Sequence, residues 1–185
     1  MTKNRNDTNI KNKLKQALIS TVKVISEDFK KNIEIKDEKA TKKFDFIDLD
    51  KLITKKDFLK ARATSDSIAL KRKFSNENIY KKNLPLNSSC KSLYSIAEKI
   101  RYECLGAKML KGIKKNLEDN YNQIISSKKT EQPKFKDDVN ISEAFELYML
   151  KKFHNIKLNS LTNKMLSFWE QDFEQSMNKH INFLK

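Results

Sequence analysis

The 185-residue sequence is poor in the residues that form turns, since it has two glycines and two prolines. Folds built from many short strands need such residues at most of their connections. A β-sandwich or a doubly wound α/β sheet is therefore disfavoured, and a mainly α fold is predicted. Both glycines, Gly106 and Gly112, fall in one stretch that otherwise reads as helix. A glycine there costs about 0.5–1 kcal/mol relative to alanine.

Cysteine and histidine are equally scarce. Cys90 and Cys104 form no CxxC pair, which predicts neither a disulfide framework nor a zinc site. His154 and His180 have no carboxylate or cysteine neighbour at ligand spacing along the chain, although a pairing in space stays open. The sequence also lacks a phosphate-binding glycine loop. No catalytic, cofactor-binding or metal-ligating residue is predicted in this chain.

Long apolar runs are missing as well. No stretch approaches the roughly 20 apolar residues of a membrane span, and the N-terminal residues have no apolar centre typical of a signal peptide. We therefore expect a soluble cytoplasmic protein with no membrane partner.

Positive charge, by contrast, is abundant. The sequence has 39 lysines and arginines and 24 acidic residues, which give a formal net charge of +15. Such an excess can indicate a nucleic-acid partner. Only four of these cations are arginine, however, and arginine is the side chain best suited to reading bases and gripping phosphates. A lysine surface that faces solvent or an acidic protein is preferred, and nonspecific nucleic-acid binding is the alternative.

The first part of the chain predicts a disordered tail over residues 1–8, followed by a helical core domain over 9–125. Apolar residues alternate in NIEIK and KFDFIDL, which could pair as a small β-hairpin near 33–48. Thr54 with Asp57 three residues later has the spacing of a helix N-cap and a weak capping box, so a helix should begin there.

A long central helix is predicted at about 90–125. Its apolar residues change face along its length, which is typical of a helix packed by more than one neighbour. A polar linker over 126–140 then leads to a C-terminal helical pair, 141–185, that packs on the core. The predicted fold is thus a multi-helix domain around one long helix.

Charged residues inside two of the predicted helices form the candidate interhelical or partner-docking cluster. Arg62 and Asp66 are four residues apart, and Glu98 and Arg101 are three apart, with Glu103 close by. If the two helices pack together, these charges could meet in one cluster. The alternative is two ordinary surface pairs, each worth a few tenths of a kcal/mol.

The two glycines also have two readings. In one, Gly106 and Gly112 each allow a neighbouring helix to pack closely. In the other, Gly112 follows the last helical residue and ends one helix before Ile113 begins the next.

Two segments of the sequence resemble the N-terminal region of the CobT family. Two groups of residues carry the likeness: Arg62, Asp66, Ala69 and Leu70, then Glu98, Arg101, Glu103, Gly106, Met109, Gly112, Asn116 and Leu117. The later segments ISEAFELYMLKKF and SFWEQDF, which includes Trp169, are similar to the family's next two helices. Ser75 and Tyr80 stand where the family pattern has histidines, so no histidine-based role is expected there.

The resemblance implies a non-catalytic assembly module of the ATP-dependent cobaltochelatase, which inserts cobalt into hydrogenobyrinic acid a,c-diamide in aerobic cobalamin biosynthesis. The implied partners are an AAA+ subunit and a large tetrapyrrole-binding subunit within a ring complex. ATP, magnesium and cobalt belong to the whole complex. The family's downstream metal-binding domain with its DxSxS motif has no counterpart in this chain.

Overall fold

The computed structural model describes residues 2–27, 53–128 and 131–184, with side chains described between residues 9 and 177. Within these ranges the chain forms eight α-helices and one 3-10 turn, and no strand occurs. The elements are α1 (Thr2–Ser26), α2 (Lys55–Phe74), α3 (Glu77–Lys82), α4 (Ser88–Met109), α5 (Lys111–Ser127), the 3-10 turn Lys136–Asp138, α6 (Ile141–Phe153), α7 (Ser160–Ser167) and α8 (Glu170–Leu184). The predicted mainly α fold is confirmed, and the hairpin near 33–48 lies outside the described residues.

Local signals set where some helices begin. α2 begins directly after Thr54, whose hydroxyl accepts a hydrogen bond from the Asp57 backbone N–H while the Asp57 carboxylate accepts one from the Thr54 N–H. The predicted N-cap and capping box are therefore confirmed. The backbone of residues 2–8 is helical, because α1 begins at Thr2, and this differs from the predicted disordered tail over 1–8.

The long central helix predicted at about 90–125 is divided into α4 and α5 at Leu110, which lies between the two glycines. The Leu110 N–H still bonds to the Gly106 carbonyl at 3.0 Å, and its own carbonyl accepts from the Lys114 N–H at 3.2 Å. Glycine has a low helix propensity and a flexible backbone. This explains why the interruption falls between them.

The chain divides into two compact units. The first comprises Met1–Ser75 and Leu105–Asn120, and the second comprises Asn76–Cys104 and Tyr121–Lys185. This grouping assigns residues 76–104 to the same unit as the C-terminal helices. The division into a core over 9–125, a linker over 126–140 and a helical pair over 141–185 stays a prediction.

In the first unit, α1 packs against α2. Leu18 is buried among Leu14, Phe58 and Ala61. One turn further along α1, Val22 is fully buried and packs with Ala69 and the half-buried side chains around it. Leu18 and Val22, which are one helical turn apart, thus lie on the buried side of α1.

In the second unit, α6 is the most buried helix. Six of its residues are buried: Ala144, Phe145, Leu147, Tyr148, Met149 and Leu150. It packs against α7 and α8. From α8, the Phe173 ring lies 5.3 Å from Phe145 and 5.4 Å from Tyr148, with Trp169 stacked at 6.2 Å. A helix apolar on several sides must be covered on several sides, so α6 lies at the centre of this unit.

None of the described helices is both long and apolar enough to cross a membrane.

Candidate functional site

A buried carboxylate, Glu103 on α4, is the centre of a polar cluster in the second unit. Its side chain is 1% exposed. The Tyr121 hydroxyl, on α5, donates a hydrogen bond of 2.5 Å to its Oε2 atom. A buried carboxylate is costly unless hydrogen bonds satisfy it. This contact therefore matters for the stability of the unit.

His154, which ends α6, joins the same cluster. Its Nε2 atom lies 3.8 Å from Glu103 Oε2 and 3.7 Å from the Sγ atom of the half-buried Cys104. The imidazole also lies 5.6 Å from the Tyr121 ring, measured between ring centres. We call Glu103, Cys104, Tyr121 and His154 the Glu103 cluster. It links α4, α5 and α6 of the second unit through their side chains.

The electrostatics of the Glu103 cluster favour a protonated phenol. Burial raises the pKa of Tyr121, and the neighbouring Glu103 charge and hydrogen bond raise it further. Tyr121 therefore remains a hydrogen-bond donor throughout the physiological pH range. Lys99 adds a cation 5.3 Å from the centre of the Tyr121 ring and 3.3 Å from the Glu146 carboxylate.

The geometry of the Glu103 cluster differs from that of a cysteine nucleophile with its base. In a catalytic triad of cysteine, histidine and carboxylate, the carboxylate orients the imidazole through one ring nitrogen, and the other ring nitrogen accepts the proton of the thiol. Here Nε2 of His154 is the atom nearest to both Glu103 and Cys104. The arrangement suits a packing role, in which satisfied polar contacts fix the mutual positions of three helices.

A second buried carboxylate, Asp66 on α2, lies in the first unit. It accepts a hydrogen bond of 2.7 Å from the Asn116 side-chain amide on α5. Burial raises the pKa of Asp66, while the Asn116 hydrogen bond and the Arg62 charge act in the opposite direction. This carboxylate thus carries a desolvation cost that its partners offset only in part.

The predicted candidate cluster is distributed over both units. Arg62 and Asp66 belong to the first unit, and Arg62 acts on Asp66 through its charge. In the second unit, Arg101 donates two hydrogen bonds to Glu98, of 2.7 and 2.8 Å, on the α4 surface. Glu103 turns instead toward Tyr121. A single cluster of all five residues stays a prediction.

Three partners of these carboxylates were missed by the sequence reasoning: Asn116, Tyr121 and His154. Tyr121 follows Glu103 by 18 residues and lies beyond the interruption at Leu110. Asn116 lies 50 residues from Asp66, and His154 lies 51 residues from Glu103. Helical spacing relates residues three or four positions apart. The only available signal was chemical, since buried carboxylates require donors.

The two glycines have different surroundings. A Cβ atom built on Gly106 would lie 2.2, 2.5 and 2.8 Å from the Cδ2, Cδ1 and Cγ atoms of the buried Leu70, so α2 approaches α4 closely there. A Cβ atom on Gly112 would meet no atom within 4 Å. Close helix packing was predicted at both, but Gly112 has no such contact within the described structure. Nor does it end a helix, because it lies in the first turn of α5.

Exposed apolar side chains occur where α4 meets α5. Leu105 is 37% exposed, Met109 54% and Leu110 46%. Lys108 and Lys111 lie between and beside them in the sequence and are exposed. This surface belongs wholly to the first unit.

Among the described residues, no group of three or more histidine, cysteine or acidic side chains is placed so that it could hold a metal ion.

The structure is that of a basic, mainly α-helical protein in which the carboxylates of Asp66 and Glu103 are buried. The chain belongs to the CobT family, because the family model described as cobalamin biosynthesis protein CobT matches residues 8–185. The resemblance predicted from the sequence is therefore confirmed, and the family is one of cobalamin biosynthesis. Comparisons with curated proteins and with solved structures gave no match.

Proposed function

We propose that this chain is a non-catalytic assembly module of the ATP-dependent cobaltochelatase of aerobic cobalamin biosynthesis. The enzyme inserts cobalt into hydrogenobyrinic acid a,c-diamide, so cobalt is a substrate of the complex. The chain docks onto an AAA+ subunit, which binds ATP and magnesium, and acts in a ring complex with a large tetrapyrrole-binding subunit. The observation that carries this proposal is the family match over residues 8–185.

Two structural features support a docking role. The polar groups of the Glu103 cluster contact one another inside the second unit, as packing groups do. The first unit, in contrast, exposes Leu105, Met109 and Leu110 beside lysines. Apolar side chains gathered at a surface are typical of protein interfaces.

The test is reconstitution with the two partner subunits encoded in the same organism. The full chain, shown to be helical by circular dichroism, should co-elute with the AAA+ subunit in size-exclusion chromatography. Cobalt insertion, followed by the absorbance change of the tetrapyrrole, should require this chain and both partners together. A folded chain that captures neither partner, or that is dispensable for insertion, would contradict the proposal.

A second candidate function, nonspecific nucleic-acid binding, is favoured by the net charge of +15. It predicts an affinity for duplex DNA or RNA that falls steeply as the salt concentration rises, because bound phosphates release counterions. Fluorescence anisotropy with labelled oligonucleotides at low salt decides this. No detectable binding there eliminates the candidate.

A further inference from the structure

The exposed residues between Leu105 and Lys115 are three large aliphatic side chains, four lysines and Gly112, and we call this set the 105–115 surface. Leu105 and Met109 are one helical turn apart on α4 and therefore lie on the same side of it. Leu110 follows at the interruption between the two helices. These three side chains are 37%, 54% and 46% exposed. Large aliphatic side chains gathered in this way favour burial against a partner.

The charge of the 105–115 surface has a single sign. Lys108, Lys111, Lys114 and Lys115 are all exposed, and no carboxylate occurs from Leu105 to Leu117. Lys114 reaches one acid, Glu118, at 3.8 Å in the next turn. A partner for this surface must therefore bring negative charge. A second copy of this chain would oppose lysines with lysines, and like charges across an interface are unfavourable.

Gly112 provides a third and independent observation. Gly106 is explained by the chain itself, since Leu70 occupies the space where a side chain would project. No described atom comes within 4 Å of a Cβ atom placed on Gly112, although a helical glycine is destabilising. Gly112 lies between Lys111 and Lys114 in the sequence, two residues after the exposed Leu110. An absent side chain there lets the backbone of a partner come close, as small residues do at tightly packed helix contacts.

We propose that the 105–115 surface binds an acidic amphipathic helix of a partner protein. The partner's apolar side chains would cover Leu105, Met109 and Leu110, its carboxylates would face the lysines, and its backbone would approach Gly112. This inference rests on the proposed function, because it assigns the docking of the partner subunit to one surface of the first unit.

Nucleic acid fits the 105–115 surface less well than an acidic amphipathic helix does. Single-stranded bases stack on aromatic side chains, and phosphates are gripped best by arginine. From Leu105 to Leu117 the chain has neither an aromatic residue nor an arginine. Exposed aliphatic side chains with lysines close by in the sequence suit the apolar face and the carboxylates of an acidic amphipathic helix.

The experiment uses the full chain and three surface variants: Leu110→Ser, Lys111→Glu and Gly112→Leu. Leu86→Ser and Lys91→Glu are the matched controls, since Leu86 is 96% exposed and Lys91 is also exposed, both in the second unit. Circular dichroism first establishes that every variant is folded. Gly112→Leu should keep or raise the melting temperature because its side chain enters open space.

Binding is then measured by biolayer interferometry against three probes. They are the AAA+ subunit, a synthetic helical peptide of leucine and glutamate with leucine at helical spacing, and duplex DNA. We expect each surface variant to weaken binding of the subunit and the peptide by about tenfold or more, the size of a hot-spot loss. The two controls should bind as the unaltered chain does.

The outcomes separate this inference from the proposed function. If the unaltered chain binds the AAA+ subunit and the surface variants bind it equally well, the inference is overturned and the proposed function stands. If the chain binds only the peptide, through the 105–115 surface, the inference stands and the proposed docking partner is wrong. Binding of neither the subunit nor the peptide overturns both. Loss of DNA binding alone in the surface variants overturns the inference in favour of a nucleic-acid partner.

Discussion

Replacing Gly106 by alanine should destabilise the first unit, although alanine is the better helix former. The new Cβ atom would lie 2.2–2.8 Å from three carbon atoms of the Leu70 side chain. Leu70 is 0% exposed, so it has no solvent into which to move. Overpacking of this kind lowers the stability by about 1–3 kcal/mol. The higher helix propensity of alanine offsets about 0.5–1 kcal/mol of that loss. The free energy of unfolding should therefore fall by up to about 2.5 kcal/mol.

The assay is urea denaturation followed by circular dichroism, with Gly112→Ala as the matched control. Because Gly112 faces open space, its replacement by alanine should raise the free energy of unfolding by about 0.4–1 kcal/mol. Leu70→Ala should cost about 2–5 kcal/mol by itself. In that background Gly106→Ala should change sign and become stabilising, because the obstructing side chain is gone. Gly106→Ala that stabilises the unaltered chain as much as Gly112→Ala would refute the close-packing argument.

Three further changes test the buried polar groups, each by denaturation. Tyr121→Phe should lower the free energy of unfolding by about 1–3 kcal/mol, since buried Glu103 loses the hydrogen bond from the phenol; an unchanged value would mean that this hydrogen bond does not stabilise the fold. Asp66→Asn should flatten the pH dependence of stability. Because the folded pKa of Asp66 is raised, its contribution is full below the unfolded pKa near 3.8 and is lost as pH rises through the folded value; an identical pH profile for the variant would contradict this. Asn159→Ala should cost about 1 kcal/mol, because Asn159 caps α7 through the Thr162 N–H at 2.8 Å, and no loss would show that the cap is dispensable.

Sequence patterns were informative wherever the physical cause was local. The cap formed by Thr54 and Asp57 was predicted from a spacing of three residues, since a side chain at that distance can reach the first helical N–H groups. The pairing of Glu98 with Arg101 follows from the same reach along one helix. Leu18 and Val22 are likewise four residues apart on α1, and both are buried on the same side of that helix.

Patterns were insufficient where two distant segments meet. Glu103 was predicted only as a charged residue near Arg101, because nothing along the chain relates it to Tyr121 or His154. The sequence alone assigns Gly106 and Gly112 the same helix propensity cost. Their surroundings differ because Leu70, which is 36 residues before Gly106, fills the space beside Gly106, whereas no described atom comes close to a Cβ position at Gly112.

The sequence by itself determined the fold class, the family, the net positive charge and the starts of capped helices, because composition and helical periodicity act over a few residues. Only the tertiary structure decided which charges are buried and which glycine is enclosed. It also decided that Leu105, Met109 and Leu110 are exposed near Gly112. Burial and close approach depend on which distant helix lies alongside, and a one-dimensional pattern does not contain that neighbour.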